Sequence, residues 1–146
     1  MFQRIIRSNY SKTTIIIRLM VGTIFLSEGI QKFLYPAIRG AGRFEKIGLP
    51  SSEFLGTFIG CFEIICGTMI LLGLLTRLAS IPTLVIMLVA ITLTKMEVLT
   101  NDGFWAMMHA SRTDWAMLLG SLFLIIKGGG NWSIDNYFQR QKYSGF

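Results

Sequence analysis

The run Arg18-Leu19-Met20-Val21-Gly22-Thr23-Ile24-Phe25-Leu26-Ser27-Glu28-Gly29-Ile30-Gln31-Lys32 sets three charged side chains into a segment otherwise apolar enough to cross a bilayer. A charge at the bilayer centre costs about 2.5–3.5 kcal/mol on insertion scales, so an ionisable residue there marks a functional position by default. On a helical projection Glu28 and Lys32 lie about 40° apart and Arg18 about 80° from Glu28, with Gln31 close by. These side chains form one polar stripe, which has to look inward. The rest of the chain must supply its partners.

The chain has 146 residues, of which 52% are hydrophobic and only 15% charged, and its mean hydropathy is +0.56. That leaves too little polar surface to clothe a compact soluble domain, so the sequence reads as an integral membrane protein. The apolar residues fall into four runs of roughly the ~20 residues that a helix needs to cross the hydrocarbon, without the alternation of a β-barrel. The expected fold is all-α, a polytopic membrane four-helix bundle, with helices over about 14–35, 54–75, 78–95 and 108–127 in a single domain spanning 1–146. The interruption by Arg18, Glu28 and Lys32 argues against a cleaved signal peptide, so the first helix is read as retained.

Thr76-Arg77 joins the second and third helices so tightly that they form an antiparallel hairpin, and Pro82 falls early in the third. Ser51-Ser52-Glu53 supplies cap-type residues for the second helix. The last run is apolar only from Trp115 to Ile126, about 18 Å, so its helix is expected to begin earlier and to draw Arg112 and Asp114 into the membrane. Arg4, Arg7, Lys12, Arg77, Lys127, Arg140 and Lys142 fall on one side. Arg39, Arg43, Lys46, Lys95 and Arg112 fall on the other with most of the acids. This bias places both termini in the cytoplasm, with Trp105 and Trp115 at the outer interface and Tyr10 and Trp132 at the inner one.

The net charge of +6 sets orientation rather than nucleic-acid binding, because no basic cluster interleaved with aromatics is present. Cys61 and Cys66 lie about 140° apart on one helix, cannot bridge there, and read as small buried hydrophobes. His109 is a lone histidine without the companions of a metal site, so no metal is expected.

Glu63 is the only charge within the second helix, on a strip with Gly56, Gly60 and Gly67, so it must face another helix rather than lipid. Measured from the middle of each run, Glu28 lies about 5 Å and Glu63 about 2 Å outward of the midplane, nearly one level. Two carboxylates at one level in low dielectric call for a neighbouring cation, from Lys32, Arg18 or Arg112. Arg18, Glu28, Lys32, Glu63 and Arg112 are therefore the candidate polar pocket, and the basis for proton chemistry or a ligand. The same residues could equally be an inert structural network. Arg77 reads as a snorkelling residue that pins the hairpin, and Gly56, Gly60 and Gly67 as an interface.

Arg18-Leu19-x-x-Gly22-x-x-Phe25-x-x-Glu28-Gly29-x-x-Lys32 resembles the first helix of the DoxX family. So do Phe44 through Gly48-Leu49-Pro50, and Glu63-x-x-x-Gly67-x-x-x-Leu71-Leu72-Gly73-Leu74-Leu75-Thr76-Arg77-Leu78-Ala79. A further match is Gly128-Gly129-Gly130-x-x-Ser133-x-Asp135, with Gly129 where the family often has proline. The resemblance implies a multi-pass four-helix protein of a plasma membrane, bacterial by expectation. One branch of the family is similar to a subunit of thiosulfate:quinone oxidoreductase, and others look like partners of redox or maturation proteins. The resemblance assigns no catalytic residues; it carries over Arg18, Glu28, Lys32, Glu63 and Arg77.

The leading reading is a membrane subunit of a redox system, binding a quinone head group or a small polar ligand in the outer half of the bundle. A non-enzymatic scaffold or maturation partner with structural charges is the alternative. A small transporter is another, weakened by the absence of repeats. Expected partners are the lipid bilayer and redox proteins, with a homo-oligomer left open and no nucleic acid.

Overall fold

A computed structural model describes residues 11–143, which form seven helices and no strand. They are α1 (Thr14–Leu34), α2 (Ala41–Lys46), α3 (Ser52–Leu72), α4 (Thr76–Asp102), α5 (Phe104–Ala110), α6 (Arg112–Lys127) and α7 (Ile134–Tyr143). Arg4, Arg7 and Tyr10, used above to orient the chain, lie outside the described residues.

Three of these helices, α1, α3 and α4, are long and apolar enough to cross a membrane. Burial is inverted relative to a water-soluble domain. Arg18, Glu63, Thr83 and Ser121 are buried, whereas Leu19, Ile65, Leu88, Leu119 and Phe123 are exposed. Such a continuous apolar exterior suits hydrocarbon, where each backbone polar group is satisfied within a helix. The small apolar core, Val21, Phe25, Cys66, Ile70, Ala79, Met117 and Leu124, lies among α1, α3, α4 and α6.

The helices meet through small or hydroxylated residues. A Cβ on Gly29 would lie 2.8 Å from the Gly60 carbonyl oxygen, and one on Gly67 would lie 2.7 Å from the Leu26 nitrogen. Only glycine lets α1 and α3 approach so closely. Between α4 and α6 the Thr83 hydroxyl donates to Ser121 Oγ at 3.0 Å. Gly120 on α6 leaves room for Met20 and Val21 of α1.

Several boundaries differ from the sequence reading, each for a local reason. Helix α3 ends at Leu72, before Leu75, because Gly73 turns left-handed with φ 70°. The Gly73 and Leu74 amides then donate to Ile70 and Met69 in a Schellman exit. Helix α4 runs past Lys95 to Asp102 and stops at Gly103, whose φ is 85°; Lys95 and Glu97 end the apolar stretch without ending the helix. The last helical segment is broken at the buried Ser111, whose hydroxyl donates to Met107 at 2.7 Å. Helix α6 alone, with 16 residues, is about 24 Å long and shorter than the hydrocarbon. Pro82 falls early in α4, as expected, inside the helix. Ser51 occupies the cap position of α3 without a capping side-chain bond. Cys61, expected to be buried, is exposed, whereas Cys66 is buried.

Candidate functional site: a polar-floored cavity and a clamp at the opposite end

Lys32 sits near the C-terminal end of α1, and side chains on a helix tilt back toward its N-terminus. Its stem therefore runs back toward the middle of α3. Gly60 leaves room for it: a Cβ there would come within 3.4 Å of Lys32 Cβ and 2.9 Å of the Phe33 ring. One turn further on, Lys32 Nζ donates to Glu63 Oε2 at 2.6 Å. The side chains of Lys32 and Glu63 are only 7% and 4% exposed.

This pair forms the floor of a cavity of about 650 Å³ among α1, α2, α3, α4 and the start of α6. Ile24, Phe25, Ile59 and Met117 line its depth. The segment after α1 folds back over it, with Arg39, Arg43 and Phe44 at the wall. Arg39 Nη1 lies 3.9 Å from Glu28 Oε1 in a half-exposed pair. On the opposite wall Asp114 receives Lys95 at 3.3 Å. Lys32, Arg39 and Arg43 balance Glu28, Glu63 and Asp114 among the lining side chains, so the lining carries no net formal charge. Glu63 accepts from one of the three N–H groups of Lys32.

The cavity gathers three of the five predicted pocket residues, Glu28, Lys32 and Glu63. It pairs Lys32 with Glu63 rather than with Glu28 one turn away. Arg18 stands apart: ten residues, about 15 Å of helix, separate it from Glu28. Its Nε donates to Ile70 at 2.9 Å, Nη1 to Gly129 at 3.1 Å and to Trp132, and Nη2 to Leu71, all to backbone carbonyls. Arg18 thus clamps the last turn of α3 to the glycine exit of α6. Arg112 is exposed and donates to the His109 carbonyl at 2.8 Å; its neighbours Thr113 and Asp114 line the cavity instead. Arg77 donates to the Ile126 carbonyl at 2.9 Å, tying the start of α4 to the end of α6. Gly56, Gly60 and Gly67 all lie buried on α3.

Arg39, Arg43, Thr94, Thr113 and Asp114 were not singled out for the site from the sequence. The spacing of Arg39 and Arg43, one helical turn apart in a Gly-rich connection, was the available signal. At the other end Asp135 is an unforeseen cap: its Oδ1 and Oδ2 accept the Leu75 and Thr76 amides at 2.7 and 2.9 Å. Among the described residues no group of three His, Cys, Asp or Glu side chains gathers to hold a metal ion.

The DoxX family model matches residues 13–96, which carry the Lys32–Glu63 pair. The chain is 49% identical over 144 residues to the uncharacterized membrane protein Rv3486 of Mycobacterium tuberculosis, covering 94% of this chain and 88% of that protein. It is 28% identical over 133 residues to CatD of Bacillus subtilis, which is named as a candidate oxidoreductase; the match covers 90% of this chain and 91% of CatD. No solved structure matches the chain.

Proposed function

The chain belongs to the DoxX family, and from that premise we propose that it is a membrane subunit of a redox system whose cavity holds a quinone head group or a small polar ligand. The observation that carries this reading is the buried Lys32–Glu63 pair at the floor of an otherwise mainly apolar cavity. An ammonium with unspent donors suits a ligand carbonyl, and the carboxylates of Glu63 and Glu28 are placed to accept a proton or hydrogen bond. The balanced lining charge fits a neutral head group. The likeness to CatD, named for oxidoreductase chemistry, agrees with a redox setting.

In this reading α6, preceded by α5, is the fourth span of a four-helix bundle in a bacterial plasma membrane. Both termini are cytoplasmic, and the cavity opens in the outer half. The excess of Lys and Arg near the termini supports that orientation. The test is extraction of the protein in mild detergent with its native partners, followed by assay for bound quinone and quinone-dependent electron transfer in wild type, Glu28→Gln and Glu63→Gln. Bound quinone or activity lost in the variants supports the reading; neither in wild type overturns it.

A scaffold is the second reading, favoured by the fact that Lys32 and Glu63 already satisfy one another. It expects Glu63→Gln to release a protein partner without changing any chemistry, and co-purification reads this directly.

A further inference from the structure

We infer that the cavity is entered sideways from the bilayer, through the seam between α3 and α4, so that its occupant is a lipid-dissolved molecule with a polar head and a long apolar chain. This deepens the proposed ligand site and rests on it for the head group, but the route stands on separate observations.

Three of the four seams around the cavity are closed by close contacts. Helices α1 and α3 are locked backbone to backbone at Gly29 and Gly67. Helices α4 and α6 are tied by Thr83 to Ser121 below the cavity and by Lys95 to Asp114 at its rim. Helices α1 and α6 interlock just below the cavity, where Gly120 receives Met20 and Val21, and the lining residues above that contact, Phe25 and Met117, are buried. The fourth seam is different. Helices α3 and α4 are joined at the Gly73–Leu75 exit, at the end remote from the cavity. Further along, four lining residues keep much of their surface accessible, Phe58 of α3 at 48% and Val85, Val89 and Leu93 of α4 at 50%, 46% and 41%, and Phe58 stands in a row of rings with the exposed Phe54 and Phe62.

A side chain that both lines a cavity and faces outward marks an opening. Every residue at this opening is apolar, and the surface continuing from it along α4 carries Leu88. A water-soluble molecule would have to cross hydrocarbon to reach such a mouth, whereas a lipid-dissolved one is already at it. On the water side Arg39 and Glu28 lie across the approach, 3.9 Å apart. An apolar chain lying along Phe58, Val85 and Val89 would exchange lipid contacts for protein contacts at little cost, leaving the head to meet Lys32 and Glu63 inside.

The test places a fluorescent reporter in the cavity wall. Ile59→Trp on α3, with Trp105, Trp115 and Trp132 replaced by Phe, is reconstituted into phosphatidylcholine vesicles with chain-brominated lipid or with aqueous iodide. The reporter is expected to lose most of its emission to brominated lipid and little to iodide. The reverse pattern, or quenching by neither, overturns the lateral entrance. Ile86→Trp on α4 is a second reporter should the first variant not fold. A binding arm then compares menaquinone with tail-less menadione in wild type and in Val89→Trp, which narrows the seam. Loss of menaquinone binding with menadione retained supports the route, and equal retention of both overturns it. Quenching by brominated lipid with neither quinone bound in wild type retains the entrance and instead defeats the quinone reading of the head site.

Discussion

Lys32 on α1 and Glu63 on α3, 31 residues apart in the chain, share a hydrogen-bonded ion pair of 2.6 Å that is almost wholly shielded from the outside. Such a pair is worth less than its distance suggests, because both charges lose their hydration, but leaving either one alone is costly. Lys32→Met and Glu63→Met should therefore each destabilise the protein by about 3–5 kcal/mol. The double variant should recover much of that loss. Thermal unfolding of all four proteins in one detergent checks this, and a double variant as unstable as the sum of the singles would show that the two residues do not act as a pair.

Asp135 offers a second, less expensive fixture. Its two oxygens hold the amides of Leu75, just before α4, and Thr76, its first residue, while its own amide donates to Gly73 at 2.9 Å. Losing a capping side chain costs about 0.5–2 kcal/mol. Asp135→Ala should fall in that range, with Asp135→Asn milder because one acceptor remains. The same change should expose α7 to proteolysis earlier than the rest of the chain, read by limited digestion in detergent.

The glycine strip of α3 predicts a penalty of a different origin. A side chain at Gly67 would press on backbone at Leu26, which cannot swing aside as a side-chain end can. Gly67→Val should cost about 1–3 kcal/mol through overpacking, and Ile65→Val on the exposed face should be close to neutral. Retention of monodisperse protein on size exclusion after mild heating separates the two; equal behaviour would mean that α1 and α3 are less tightly seated than their backbone approach indicates.

The sequence made some of this legible and hid the rest for identifiable reasons. Glu63 on a strip of small residues had to face another helix, and α1 is where it meets Lys32. Angular position on a helix is readable from spacing; of the stripe on α1, Arg18 and Lys32 are buried, whereas Glu28 is partly exposed. The partners of Arg18 were not readable, because the Ile70, Leu71, Gly129 and Trp132 carbonyls are backbone groups with no signature of their own. Arg39 and Arg43 were hidden for another reason: how a connection folds back depends on tertiary contacts. Gly40 makes that return possible, since a Cβ there would sit 2.6 Å from the Lys32 carbonyl oxygen. Arg112 and Asp114 show the limit of resolution, for the segment was identified but the residue facing the cavity was its neighbour.

Arg18 gives the sharpest separation between the clamp and the proposed ligand site. Its guanidinium reaches four carbonyls on two segments with a planar fork, and a lysine ammonium has only three donors on a single atom. Hydrogen bonds from a charged group contribute about 1.5–3 kcal/mol each, so Arg18→Lys should lower stability by at least that amount by stranding one or more carbonyls at the end of α3. The nearest lining residue on the same helix, Ile24, lies about 9 Å away and Glu28 about 15 Å, so any ligand that binds wild type should bind the surviving folded Arg18→Lys protein with unchanged affinity. Arg39→Gln should do the opposite, because Arg39 lines the cavity and its pair with Glu28 is half exposed: stability within about 1 kcal/mol of wild type, with ligand affinity altered. Melting temperature and ligand occupancy measured on the same preparations decide the matter, and a ligand lost from folded Arg18→Lys would return Arg18 to the binding site.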